Sequence, residues 1–273
     1  MKETDPSFEW KMPINFYGRV IDQDDQPIEG AQIKFSWTDT TGNSKHQTIS
    51  DGEGFFELRN RTGKVLTVRV EKEGYLTLGS KGGAGFEYAA FFEGHYHTPD
   101  LDNPVIFRLE KELEAEPLIR HRQSTRLSYD EGSYFYDLET GRISQQQATN
   151  RPGLRLTMIR SQSAQGQPFD WTWQVQGVNA VIQSTEEQFP QLAPQNGYTN
   201  QWQLSKTANS DTFQKHGKVR LYINTANGKF GRADLELGHP NQRDLGPRIV
   251  IESYLNPSGS NILAYDSSLA IKP

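Results

Sequence analysis

The chain has 273 residues, enough for two ordinary domains, with 34% hydrophobic, 11% aromatic and 23% charged residues. That balance is too aromatic for a disordered polymer and polar enough to imply thin cores. Its net charge of −5 arises from acidic and basic residues mixed along the chain without a basic run, which excludes the phosphate-neutralising stripe of a nucleic-acid-binding protein; no apolar run approaches the roughly 20 residues that span a bilayer, and the absence of cysteine excludes disulfides and thiolate metal sites.

Residues 1–12 read as a polar linker or tether, in which Phe8 and Trp10 are the large apolar groups. Its opening, Met1-Lys2-Glu3-Thr4-Asp5-Pro6, holds no signal-peptide core. Strand periodicity begins at Ile14, Phe16, Gly18 and Val20, alternating with Asn15, Tyr17 and Arg19. After the turn Asp22 to Pro27, Ala31, Ile33, Phe35 and Trp37 form a second strand, and Thr40-Thr41-Gly42-Asn43 a hairpin loop. Beyond the turn Asp51-Gly52-Glu53-Gly54 come Phe56 and Leu58, then Leu66, Val68 and Val70, a turn at Glu73-Gly74-Tyr75, and a last strand carrying Val105, Phe107 and Leu109. About seven short strands without a helical period predict an antiparallel β-sandwich over residues 13–110. Residues 79–104 interrupt it with glycines, then Phe86, Tyr88, Phe91, Phe92, His95, Tyr96 and His97, and read as a long aromatic loop.

The charged stretch Glu110 to Glu116, closed by Pro117, marks a domain boundary. In residues 117–273, strand-like segments recur at 134–136, 154–159, 171–175, 180–182, 202–204, 219–223, 233–237 and 249–255. Eight or more strands predict a second β-sandwich, jelly-roll-like by length, so the whole chain is expected to be all-β.

The first half carries Gly18-x-Val20, Pro27-Ile28-Glu29-Gly30-Ala31-x-Ile33, Asp51-Gly52-Glu53-Gly54-x-Phe56, and Val68-x-Val70 before Gly74-Tyr75. As a set these resemble the carboxypeptidase regulatory-like domain, a transthyretin-like sandwich, over roughly residues 14–78, and again at Val105 to Leu109. The resemblance implies an accessory module of exported or surface proteins without catalytic residues of its own. Joined to the second half, it resembles bacterial envelope proteins in which the module follows a signal or anchor. A periplasmic or cell-surface location is therefore expected, with any such anchor outside this chain.

Trp171 and Trp173 lie two apart on one strand face, with Trp202 on another strand, and are candidates either for a carbohydrate-stacking platform or for the second core. Phe86, Tyr88, Phe91, Phe92 and Tyr96 of the insertion are the candidate partner-binding aromatics, because long loops in compact domains usually carry function. His95 and His97, with Asp100 or Asp102, fall short of a converging ligand set, so no metal is assigned. The acidic turns at Asp22 and Asp51 are read as side-chain-capped turns rather than calcium loops. There is no Gly-x-Ser-x-Gly elbow, His-Glu-x-x-His, phosphate loop or dinucleotide fingerprint, so no catalytic residue or cofactor is assigned. The functional expectation is a non-catalytic accessory protein that binds a protein partner or has a structural role; the alternative is a carbohydrate-binding module in the C-terminal sandwich, and a hydrolase ranks last.

Overall fold

A computed structural model describes residue 5 and residues 7–77, 83–89, 96–127, 132–146, 150–161, 170–208, 216–238 and 246–271. Apart from one 3-10 turn at Phe8–Lys11, the regular structure among these residues is β, and no helix is long and apolar enough to cross a membrane. The chain divides after Glu112 into two compact units.

The N-terminal unit contains β1 (Pro13–Ile21), β2 (Gln32–Asp39), β3 (Gly42–Ile49), β4 (Phe55–Thr62), β5 (Val65–Glu71), β6 (Tyr75–Thr77), β7 (Ala84–Glu87) and β8 (Val105–Lys111). They form two four-stranded sheets, β4-β1-β8-β6 and β3-β2-β5-β7; only β1 and β8 run parallel. Period-two alternation turns Ile14, Phe16 and Val20 inward from β1, Ile33, Phe35 and Trp37 from β2, and Leu66, Val68 and Val70 from β5, giving one shared core. The sandwich expected from the sequence is present, with eight strands instead of seven. β7 lies inside the segment read as loop and pairs antiparallel with β5, and β6 begins at Tyr75, read as part of a turn.

Asp51 sets the turn before β4. Its Oδ1 accepts the amides of Glu53 and Phe55 at 3.0 and 2.8 Å, and Gly54 follows with φ +73°. A Cβ at Gly54 would stand 2.3 Å from the Val20 carbonyl oxygen, so this turn admits only glycine. Asp22 does the same for its turn, accepting the amides of Asp24 and Gln26 at 2.8 and 2.9 Å. Both acidic turns thus spend carboxylate oxygens on their own backbone.

The C-terminal unit contains β9 (Ile119–Arg126), β10 (Ser133–Asp137), β11 (Ile143–Ser144), β12 (Gly153–Arg160), β13 (Trp171–Val178), β14 (Ala180–Thr185), β15 (Gln201–Lys206), β16 (His216–Thr225), β17 (Phe230–Gly238) and β18 (Arg248–Leu255). Two five-stranded antiparallel sheets, β11-β10-β12-β13-β15 and β14-β16-β17-β18-β9, enclose a single apolar core. Half of the neighbours are also neighbours in sequence, with β16, β17 and β18 running as a meander and β10 with β11 and β12 with β13 as antiparallel pairs; β9 returns to pair with β18 along its full length. The strand-like segments read from the sequence fall on β10 and β12–β18, while β9 and the two-residue β11 are additional. A smaller cluster of Ala193, Tyr222, Phe230 and Leu263 lies apart from the main core.

Candidate functional site

In the sheet β14-β16-β17-β18-β9, the inward positions Leu221, Ala233, Leu235 and Ile251 fill the core, and the alternate positions face the other way. Cross-strand register then assembles a row in which Thr185 opposes Arg220, Arg220 opposes Asp234, and Asp234 opposes Glu252. One step along, Lys218 opposes Glu236. Pairing with β14 reaches only Arg220, so Gly217 to Val219 extend past it. A cleft of about 590 Å³ opens there, lined by these charged residues together with Ser184, Glu186, Val219 and Trp202.

Trp202 comes from β15 of the opposite sheet. It pairs with Val175, leans on the core and remains half-buried. Next to it Leu204 approaches β16 so closely that a Cβ at Gly217 would lie 2.0 Å from its Cδ2. That glycine lets the two sheets close at the cleft's edge.

Each of the three carboxylates contributed by β17 and β18 has a cationic partner. Arg220 Nε lies 2.5 Å from Asp234 Oδ1, Lys218 Nζ 2.6 Å from Glu236 Oε1, and Arg120 Nη2 2.6 Å from Glu252 Oε1. Tyr254 also donates its hydroxyl to Glu252 at 2.7 Å. Burial acts to raise the Glu252 pKa, but hydrogen bonds from Tyr254 and Arg120 and the nearby arginine charges outweigh it and hold the carboxyl below its ordinary range. A general acid needs the opposite shift. Behind this row Arg232 lies 4.2 Å over the Tyr254 ring, and desolvation lowers its pKa. Tyr222 donates to Glu187 at 2.5 Å; burial, followed by that bond, raises its pKa. The arrangement is a surface of paired charges with an excess of carboxylates, suited to recognising a polar ligand.

Of the residues singled out in the sequence, the structure brings only Trp202 to this cleft. Trp171 and Trp173 are 1% and 0% exposed in the core, and Trp173 donates Nε1 to the Gly238 carbonyl at 3.2 Å. Neither offers a ring face to solvent, so of the two readings of this pair the structure places them in the second core and not on a stacking platform: the side of β13 that carries them faces the other sheet. In the N-terminal unit, Tyr88 is buried in the core and Phe86 packs half-buried against it. Phe86 packs 4.7 Å from Phe16, and Tyr88 is 6% exposed with its hydroxyl donated to the Asn15 carbonyl at 2.5 Å. His97 joins them at 5.2 Å from Phe16, and its buried Nε2 has no hydrogen-bond partner among the described residues. Burial lowers its pKa. Tyr96, at 55% exposure, is the described aromatic of the insertion that faces solvent; Phe91, Phe92 and His95 lie outside the described residues. Asp100 caps its own turn through the amides of Asp102 and Asn103 at 3.0 and 3.2 Å.

Sequence reading passed over Lys218, Arg220, Asp234, Glu236 and Glu252. Their signal was present as Lys218-Val219-Arg220-Leu221 and Ala233-Asp234-Leu235-Glu236, charges of opposite sign alternating with apolar residues in two successive strands.

Comparison with known families bears on the first unit. Residues 15–82 match the carboxypeptidase regulatory-like domain family. The matched stretch contains most of β1, then β2 through β6 and the Asp51 turn. No curated protein matches the chain. Among solved structures, a 3-chlorocatechol 1,2-dioxygenase from Rhodococcus opacus 1CP aligns at 16% identity over 37% of this chain and 61% of its own, with a TM-score of 0.28. A streptococcal ancillary pilin aligns at 12% identity over 80% of this chain and 55% of its own, with a TM-score of 0.27. The major pilin SpaD from Corynebacterium diphtheriae aligns at 8% identity over 83% and 65%, with a TM-score of 0.26. The chain spans less than two thirds of each of these proteins.

Proposed function

We propose that this chain is a non-catalytic accessory protein of a bacterial envelope or secreted complement, which holds a protein partner in the mixed-charge cleft of its C-terminal unit. The observation that carries this reading is the pairing of Asp234, Glu236 and Glu252 with Arg220, Lys218 and Arg120. Such pairs fix register and orientation in recognition, whereas acid–base chemistry needs a carboxyl whose pKa is raised. The exported location rests on what the carboxypeptidase regulatory-like module of residues 15–82 implies for proteins that contain it. A neutral glycan in the same cleft is the second reading, favoured by the half-buried Trp202 beside Ser184 and Thr185.

Turnover is the decisive contrast. The purified chain, incubated with glycoside, ester and peptide substrates and followed by mass spectrometry, is expected to leave them intact. Hydrolysis that disappears in Asp234→Asn or Glu236→Gln would overturn the non-catalytic reading. Perturbation of the Trp202 indole resonance by neutral oligosaccharides would select the glycan over the protein partner.

A further inference from the structure

The N-terminal unit is acidic, with 13 basic and 19 acidic residues through position 112. One face of it is not. On the sheet β3-β2-β5-β7, Ile33, Phe35 and Trp37 point into the core, so Lys34 and Ser36 point away from it. Register places Gln47 and Arg69 on either side of Lys34, and Lys45 and Thr67 on either side of Ser36. The row through Ser36 continues to Gly85 of β7. Short side chains thus make a floor running across the strands, and long cationic ones stand above it. The result is a groove of about 310 Å³ whose lining includes Lys34, Lys45, Arg69 and Asn43 and no carboxylate.

Lys34 is paired with Glu71. Lys45 and Arg69 are both exposed, and among the described residues neither has a carboxylate within ion-pair distance. Their backbones are two strands apart and offset by two residues along the strands, about 12 Å at the spacing of neighbouring strands and the rise per residue. Between them lie the hydroxyls of Ser36 and Thr67, with the amides of Asn43 and Gln47 alongside.

We propose that this groove binds a carboxylate-bearing polysaccharide, a site separate from the C-terminal cleft. Two unpaired cations across a polar floor complement acid groups set at intervals along a hydroxyl-rich chain. The guanidinium of Arg69 is shaped to take a carboxylate through two parallel hydrogen bonds. The amides and hydroxyls meet sugar hydroxyls, and apart from Phe35 and His46 the groove is lined by polar and cationic residues rather than by the apolar groups that anchor side chains of peptide ligands use.

The test is isothermal titration of the full chain with short oligogalacturonates at low salt. Binding is expected, and the double substitution Lys45→Ala with Arg69→Ala should weaken it about tenfold, the order set by losing two exposed charge contacts. Arg59→Ala, in the other sheet of the same unit, should leave it unchanged. Unaltered circular dichroism and Tm in the double variant would tie the loss to binding. Three results would each overturn the assignment: no binding by the parent, equal binding by the double variant, or equal binding of fully methyl-esterified oligomers. Polyglutamate binding as tightly as the oligogalacturonate would overturn it too, by reducing the interaction to unspecific charge attraction.

Discussion

Replacing Trp173 with Ala tests where the tryptophans stand. The ring is 0% exposed, packed in the core between the two C-terminal sheets, and its Nε1 donates to the Gly238 carbonyl at 3.2 Å. Truncating a buried aromatic costs about 3–5 kcal/mol, cavity included, and losing the buried hydrogen bond adds about 1 kcal/mol. Against a typical domain stability of about 5–15 kcal/mol, this removes a large part of what holds the unit together. Hydrogen exchange on the full chain reads the two units separately. Peptides from β12, β13, β17 and β18 should lose protection by orders of magnitude, while those from β1 to β8 stay unchanged. Trp202→Ala, at a half-buried ring, should cost about 1–2 kcal/mol and leave the fold intact. Unchanged exchange at β12 and β13 in the Trp173 variant would refute the core placement and restore the solvent-facing platform.

Gly54→Ala should destabilise the N-terminal unit by about 2–4 kcal/mol in denaturant titration, because the new Cβ meets a backbone oxygen at a residue already held at positive φ. His97 predicts an acid dependence. Burial keeps its folded-state pKa below the ordinary 6.5, so the unfolded chain takes up the proton first. Stability is therefore whole above that value and declines as pH falls through it. The neighbours packed against the imidazole, Phe16, Phe86 and Tyr88, supply no carboxylate to offset the charge. Lowering the pH from 7.5 to 5.5 should depress the Tm of the parent more than that of His97→Phe; equal depression would contradict the burial argument.

The Asp51 turn was legible because its chemistry is local: an acid able to cap two amides, and a glycine where the chain turns left-handed. The alternating strands were legible for the same reason. β7 was not, since Ala84-Gly85-Phe86-Glu87 is short and glycine-bearing, and it becomes a strand only because β5 offers it a partner. β9 was hidden by its polarity. Arg120, Arg122 and Arg126 are what an edge strand carries to discourage further pairing, and they erase the apolar signal. For the tryptophans, spacing put Trp171 and Trp173 on one face, but which face meets the other sheet is a tertiary fact. The cleft shows the same division. Its charges could be seen alternating along β16 and β17, while the pairing of Lys218 with Glu236 and of Arg220 with Asp234 required the register between strands.

Photocrosslinking from the cleft in the producing cell tests the accessory-binding account most directly. A photoreactive residue in place of Lys218, whose side chain is 75% exposed, reports what occupies the site in place. The account predicts one discrete protein adduct in the envelope or secreted fraction, lost when Arg220 and Asp234 are both replaced with Ala. A chain confined to the cytosol, or an irradiated sample that yields no adduct from the cleft, would contradict it.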